Sequence, residues 1–193
     1  MRKIIVSEFV TLDNVMEGPG AMDNFAFAGW TMPYSNAEIA KFKYDELFAG
    51  DALLLGRITY DGFAAAWPAM PGAGEFGERM NSIPKFVVSN TLKGLEWNNS
   101  TLIAENIFDE ISKLKQQAGK DILIFGSGEL IRTLIELDLI DEYRLLVYPV
   151  VLGVGKRLFK EGGNMKLKLL DMKKLGSDVV LLSYSPDKKE FSK

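Results

Sequence analysis

Two apolar runs, Ala52 to Leu55 and Ile122 to Phe125, constrain this chain more than any other feature, because each is too short for a helix and polar on neither face. A strand that is apolar on both faces has to be covered on both, as the inner strands of a parallel sheet are by helices. Each run ends at a glycine and leads into a helical pattern: Gly56 into Arg57 to Ala66, and Gly126-Ser127-Gly128 into a helix over about Glu129 to Leu137. That repetition of strand, turn and helix predicts an α/β fold.

The remaining segments extend the pattern. Ile4 to Leu12 reads as a first strand, closed by Asp13-Asn14 and Glu17-Gly18-Pro19-Gly20. Ser35-Asn36-Ala37-Glu38 has capping-box spacing and opens a helix through about Phe48. Trp67-Pro68 to Gly74 reads as a loop, Lys85 to Ser89 and Thr101 to Ala104 as short strands, and Asn106 as the cap of a helix through Ala118. Glu142 to Val151, Lys166 to Lys174 and Val179 to Ser185 are strands with no helix between them. The expected architecture is a single domain over residues 1–193, with a mostly parallel central sheet flanked by helices and antiparallel strands at the C-terminal end. Pro186 to Lys193 reads as a frayed tail.

Composition narrows the chemistry. The 193 residues include no Cys and no His, which excludes disulfides, thiolate nucleophiles, Ser-His-Asp and Cys-His catalysis and histidine-ligated metals. Acid–base chemistry is left to carboxylates, Lys, Tyr, water or a cofactor. A formal net charge of -3 with scattered lysines speaks against nucleic acid as a partner. No apolar run approaches the ~20 residues that span a bilayer, and Ser7-Glu8 interrupts the N-terminal apolar stretch. A cytoplasmic protein with no membrane partner is expected.

Three strand ends carry groups suited to phosphate, and the carboxyl ends of strands are where an open α/β sheet takes its ligand. Gly126-Ser127-Gly128, followed by Glu129, presents backbone N–H groups and a helix dipole, or else simply packs helix on strand. At Gly56-Arg57-Ile58-Thr59, Arg57 either grips a phosphate or decorates the surface, and Thr59 either donates to the ligand or caps the helix. Ser89-Asn90-Thr91 is either a third contact or a polar turn. Trp30, Met32 and Tyr34 in the first loop either wall a substrate site or pack on the core, and Gly153 and Gly155 either admit a ligand or make a tight turn.

Taken together, Val10-Thr11-Leu12-Asp13, Leu54-Leu55-Gly56-Arg57-Ile58-Thr59-Tyr60, Lys85-Phe86-Val87-Val88-Ser89, Gly126-Ser127-Gly128 through Leu139-Ile140-Asp141-Glu142, and Pro149 through Phe159 resemble the dihydrofolate reductase superfamily. They resemble specifically the branch related to the reductase domain of bacterial riboflavin biosynthesis, in the same order along nearly the whole chain. The resemblance implies a reductase taking hydride from NADPH, with Arg57 and Ser89 to Thr91 near the adenosine 2′-phosphate, Thr59 and Gly126 to Gly128 on the pyrophosphate, and the first loop beside the nicotinamide. It further implies a homodimer joined through the β-rich C-terminal part, and a carboxylate on the first helix, where Glu38, Asp45 and Glu46 are the available groups. Asp13, at the first-loop motif, is either the proton donor or a turn-forming side chain.

The expected function is NADPH-dependent reduction of a small pterin- or pyrimidine-type heterocycle. A non-catalytic dinucleotide-binding protein of the same fold is the alternative, and a true riboflavin-pathway reductase would use Lys156 and Arg157 for a substrate phosphate.

Overall fold

A computed structural model describes residues 1–20 and 24–187 of the chain. In chain order the elements are β1 (Ile4–Thr11), α1 (Ala37–Ala49), β2 (Ala52–Gly56), α2 (Arg57–Ala66), α3 (Gly74–Ser82), β3 (Lys85–Val88), β4 (Ser100–Ile103), α4 (Ile107–Gln116), β5 (Ile122–Ile124), α5 (Gly128–Glu136), β6 (Glu142–Tyr148), β7 (Leu167–Leu175) and β8 (Val179–Pro186). The strands form one sheet in the order β4-β3-β2-β5-β1-β6-β8-β7. All pairings from β4 to β6 are parallel, and β8 runs antiparallel to both β6 and β7. The expected mostly parallel sheet with an antiparallel C-terminal end is therefore the fold that forms.

Both faces of the central strands are covered, as their uniform apolarity demands. On one side, Val6, Val10, Leu54 and Ile124 pack with Ile111 and Leu114 of α4 and Leu130, Ile131 and Leu134 of α5. On the other, Ile5, Leu53, Leu55 and Leu123 pack with Leu47 of α1, Tyr60 of α2 and Met80 of α3. A third cluster joins Ile39 of α1 and Trp30 to Leu146, Tyr148 and Leu181.

Three local expectations need correction. Helix α3 follows the Trp67 to Gly74 segment, where two glycines within the helix, Gly74 and Gly77, mask it; burial of Met80 against the sheet overrides their poor propensity. Asn36, not Ser35, caps α1: its side chain accepts from the Glu38 and Ile39 amides, and Glu38 is drawn away to the Gly176 amide, so no capping box forms. The C-terminal strand continues through Pro186, and the Asp187 amide still donates to the Lys166 carbonyl, so this part of the expected tail continues the pairing of β8 with β7; the expectation for residues 188–193 lies outside the described residues. No helix among the described residues is long and apolar enough to cross a membrane.

Candidate functional site

The connectivity creates one crevice. From β1 the chain passes through α1 to β2, leaving a gap that β5 later fills; from β5 it passes through α5 over β1 to β6. Because α1 and α5 cover opposite faces, the carboxyl ends of β1, β2 and β5 open between them, at the point where the strand order reverses.

Two helices begin at that crevice and neither has a side-chain cap. Gly56 precedes α2 and Ser127 precedes α5, yet among the described residues neither helix start has a side-chain cap hydrogen bond. The Ser127 hydroxyl instead accepts from the Gly56 amide at 3.0 Å, which ties the two helix starts together. Gly126 and Ser127 both take left-handed backbone, φ 64° and 69°, and turn the chain from strand into helix. A side chain at Gly126 would meet Thr59 Oγ1 at 3.0 Å, so the glycine and Thr59 face one another across the crevice. Two uncapped helix N-termini a few ångströms apart make a strong field for an anion. Arg57 stands at the rim, half-exposed, paired only with Asp61 four residues on. Exposed pairs of this kind are worth little, so the guanidinium is free to exchange partners.

The remaining expected residues divide. Ser89 is mostly a turn former: its hydroxyl accepts from the Thr91 and Leu92 amides and meets the Thr91 hydroxyl at 3.3 Å, while Asn90 is exposed. Trp30 is core, not an open wall: it is 7% exposed, its ring meets Tyr148 edge-on at 5.3 Å and its Nε1 donates to the Glu17 carbonyl. Tyr34 packs edge-on against the same ring at 5.9 Å. A side chain at Gly155 would strike Val15 at 2.7 Å and Phe25 at 3.0 Å, so that glycine serves the approach of the first loop; Gly153 faces open space. Glu129 pairs with Arg132 on the outer side of α5.

Asp13 is bound as an anion. Its carboxylate accepts from the Thr11 hydroxyl at 2.6 Å, the Gly153 amide at 2.7 Å and the Leu152 amide at 3.2 Å. The Thr11 hydrogen bond, followed by the amides, holds its carboxyl below the ordinary value of 3.8. Of the two roles open to Asp13, this geometry serves the bracing one, joining the first loop to the segment after β6. Arg157 completes the brace by donating to the Asp13 carbonyl, and the Lys156 amide donates to Glu17. Beside them a cleft of about 420 Å³ lies between α5 and residues 155–161. Cations Arg132, Lys156, Arg157 and Lys160 alternate there with Glu129, Glu136 and Glu161, so neither sign of charge dominates.

Two features were not anticipated. Beneath α1 a line of charges crosses the sheet: Lys3 to Glu142, Glu142 to Arg144, Arg144 to Glu46, and Glu46 to Lys43. Glu46, named earlier only by rough position, is 3% exposed and also accepts from Ser7 at 2.7 Å. Burial pushes its carboxyl up, but Lys43, Ser7 and Arg144 outweigh burial and hold it below the ordinary value. With both oxygens engaged, Glu46 is not a free carboxylate. The Lys43 ammonium also lies 3.8 Å from the centre of the Phe125 ring, at the end of β5. On the opposite face of β1 sits Glu8, a buried acid among apolar side chains. An outward-reading carboxylate in a strand ordinarily ends an apolar run, and alternation between Val6 and Val10 was the signal that would have placed it inside.

The comparisons agree with this fold. The profile of the family described as RibD C-terminal domain matches residues 2–181. Two uncharacterized proteins of Bacillus subtilis (strain 168), YyaP and YwjB, are each 33% identical to the chain, YyaP over 187 residues covering 95% of this chain and 94% of its own, and YwjB over 132 residues covering 68% and 71%. Among solved structures, a candidate riboflavin biosynthesis protein of Shewanella sp. PV-4 superposes with a TM-score of 0.73 at 20% identity, covering 96% of this chain and 99% of that one. RibD of Acinetobacter baumannii gives 0.63 at 14% identity and covers 97% of this chain but 59% of its own. At such identities the structural likeness concerns the fold.

Proposed function

Since the chain belongs to the RibD C-terminal domain family, we propose that it is an NADPH-dependent reductase acting on a small pterin- or pyrimidine-type heterocycle. The observation that carries this reading is the pair of uncapped helix starts, α2 and α5, tied by the Gly56–Ser127 hydrogen bond at the strand-end crevice. The residues present fit the cofactor: Gly126 leaves the turn open where a side chain would press on Thr59, and the uncapped starts of α2 and α5 flank it. Gly126, Ser127, Gly128 and Thr59 would hold the pyrophosphate, Arg57 with Asn90 and Thr91 the 2′-phosphate, and the first loop would border the nicotinamide. NADPH, when bound, would supply the hydride, and the protein would orient it.

The cofactor test is a fluorescence titration of NADPH against NADH. NADPH is expected to bind more tightly, because Gly56-Arg57 and Ser89-Asn90-Thr91 put no acidic residue at those strand ends to receive a free 2′-hydroxyl. Arg57→Ala is expected to lower NADPH affinity by about 1.5–3 kcal/mol. Equal affinities for the two cofactors, or no change in the variant, would remove the phosphate-binding role. Binding without turnover across a panel of dihydrofolate, other pterins and ribosylaminopyrimidine phosphate would instead support a non-catalytic dinucleotide protein.

Proton supply follows from the same geometry. An ionised Asp13 bound to two amides and a hydroxyl has no proton to give, so water delivers it. Asp13→Asn is expected to leave single-turnover hydride transfer within a few-fold of wild type and to cost about 1–2 kcal/mol of stability, since one amide partner is lost. A large fall in rate with unchanged stability would restore Asp13 as the acid.

Association as a homodimer through the C-terminal strands is part of the proposal. Leu169, Leu170 and Met172 lie exposed on β7, the outer strand of the sheet, and such an apolar edge calls for cover. Light scattering is expected to give twice the mass of one chain; a monomer at high concentration would reject it.

A further inference from the structure

Glu8 has no task in the reading above, yet its position is costly. Alternation along β1 turns Val6, Glu8 and Val10 to the side covered by α4 and α5, and Glu8 is 5% exposed there. Its strand neighbour on β6 is Leu145. The pairing of Val6 with Ile124 puts Glu8 level with Gly126 on the other flank. The Gly126 backbone N–H is near enough to favour the charged form of its carboxyl, and Oε1 has no hydrogen-bond partner among the described residues. Met16 closes the space above, its Sδ 3.0 Å from where a side chain on Gly128 would begin. The acid thus lies directly under the left-handed turn from which α5 starts.

Burial pushes the Glu8 carboxyl well above the ordinary 4.5, against the pull of Lys43 and with a smaller push from Glu46, both reaching it from α1 across the sheet. The other charged groups nearby are committed elsewhere: Arg144 to Glu142 and Glu46, Glu129 and Arg132 of α5 to each other, Asp13 and Glu17 to the segment after β6. An anion on the 126–128 turn and an ionised Glu8 would be like charges on either side of one peptide unit, in a place that water does not screen. We propose that Glu8 is a positioning residue for this turn: as a neutral acid it leaves the α5 N-terminus to a phosphate group, and as a carboxylate it takes that field for itself, so that its protonation and phosphate binding are coupled. The proposal rests on the dinucleotide reading and names what regulates the same site.

The sign follows from linkage. A carboxyl whose folded pKa is raised contributes stability that is full below the unfolded value of 4.5 and lost as pH rises through the folded value. Bound phosphate should raise it further and draw in a proton.

Wild type and Glu8→Gln are titrated with NADPH and, separately, with inorganic pyrophosphate from about pH 5 to about pH 9. The ratio of the two proteins' dissociation constants cancels the ligand's own ionisation. The ratio is expected to lie near one at the acid end and to grow about tenfold or more with pH as wild type weakens. Calorimetry in two buffers of different ionisation enthalpy is expected to show more proton uptake on binding by wild type than by the variant, the difference being the share of Glu8. Without ligand, Glu8→Gln is expected to melt higher than wild type by a margin that widens with pH. A ratio constant at every pH overturns the coupling. Should the variant fail to fold, wild-type calorimetry carries the test, and zero uptake overturns it. If pyrophosphate shows the pH-dependent ratio and NADPH binds neither protein, the dinucleotide reading falls and Glu8 keeps its role. If neither probe binds at any pH, both fall.

Discussion

Glu46→Ala is expected to cost about 3–5 kcal/mol of folding stability and to lower the melting temperature by on the order of 10 °C. The loss is large because of what stays behind. Lys43 and Arg144 would remain under α1 with their shared anion gone, and the Ser7 hydroxyl would lose its acceptor. Removing one member of a buried charge network leaves an uncompensated charge, which costs far more than the network contributes as a whole. Glu46→Gln keeps the shape and one acceptor, so a smaller loss is expected from it. The pH dependence runs opposite to that of Glu8. Because the folded pKa of Glu46 lies below 4.5, its contribution is present above that value and is lost as pH falls through the folded one. Urea unfolding of both variants at neutral and acid pH checks this; a Glu46→Ala loss under about 1 kcal/mol would mean that Lys43 and Arg144 escape to solvent.

Gly126→Val is expected to abolish measurable NADPH binding while leaving a folded protein. The position has φ 64°, where a β-branched residue is a strained outlier costing about 1–3 kcal/mol. The added atoms would press on Thr59, whose Oγ1 and Cγ2 stand 3.0 and 3.1 Å from the first of them. Relief can come only by moving α2 away from α5 or by flattening the turn, and either change disperses the N–H groups that converge there. Gly72 provides the control: its φ is 70° with nothing within 4 Å of a new side chain, so Gly72→Val carries the backbone strain alone. Gly126→Val should lose more stability than Gly72→Val, by the cost of its contact with Thr59, and Gly126→Val alone should lose NADPH affinity. Equal retention of NADPH would dissociate the turn from the cofactor.

The sheet and its direction were legible because they rest on the most local of signals. Ala52 to Leu55 and Ile122 to Phe125 are apolar on both sides, and only a covered strand tolerates that. The turn at Gly126 to Gly128 was legible for the same reason, being glycine and serine between a buried strand and a helix. What could not be read is the partner across space. Ser89-Asn90-Thr91 looks equally like a phosphate contact and a turn until the Ser89 hydroxyl is seen bonding the amides two and three residues on. Trp30 looks like a substrate wall until Tyr148, far along the chain, meets its ring. Asp13 and Glu46 are likewise ambiguous, since Leu152 and Gly153 in one case and Arg144 in the other come from distant sequence. Glu8 was read only as interrupting the N-terminal apolar stretch, and its burial under the crevice could not be read without the neighbours that cover it.

The placement of β5 between β1 and β2 also sets an order of assembly. Strand β1 pairs with β5 and β6, so Ile4 waits for Ile122 and Ile5 for Leu123 before either finds a neighbour. By contrast β2, β3 and β4 are consecutive in both chain and sheet, and closing short loops is fast where closing long ones is slow. A growing chain can therefore lay down that three-stranded half early, with its first strand still unpaired and one flank of β2 uncovered. The insertion of β5 completes the sheet and, in the same event, brings the Gly126 turn against Thr59. Dinucleotide binding would then mark the last step of folding, and a ligand present during refolding should speed recovery of native protein by trapping that step.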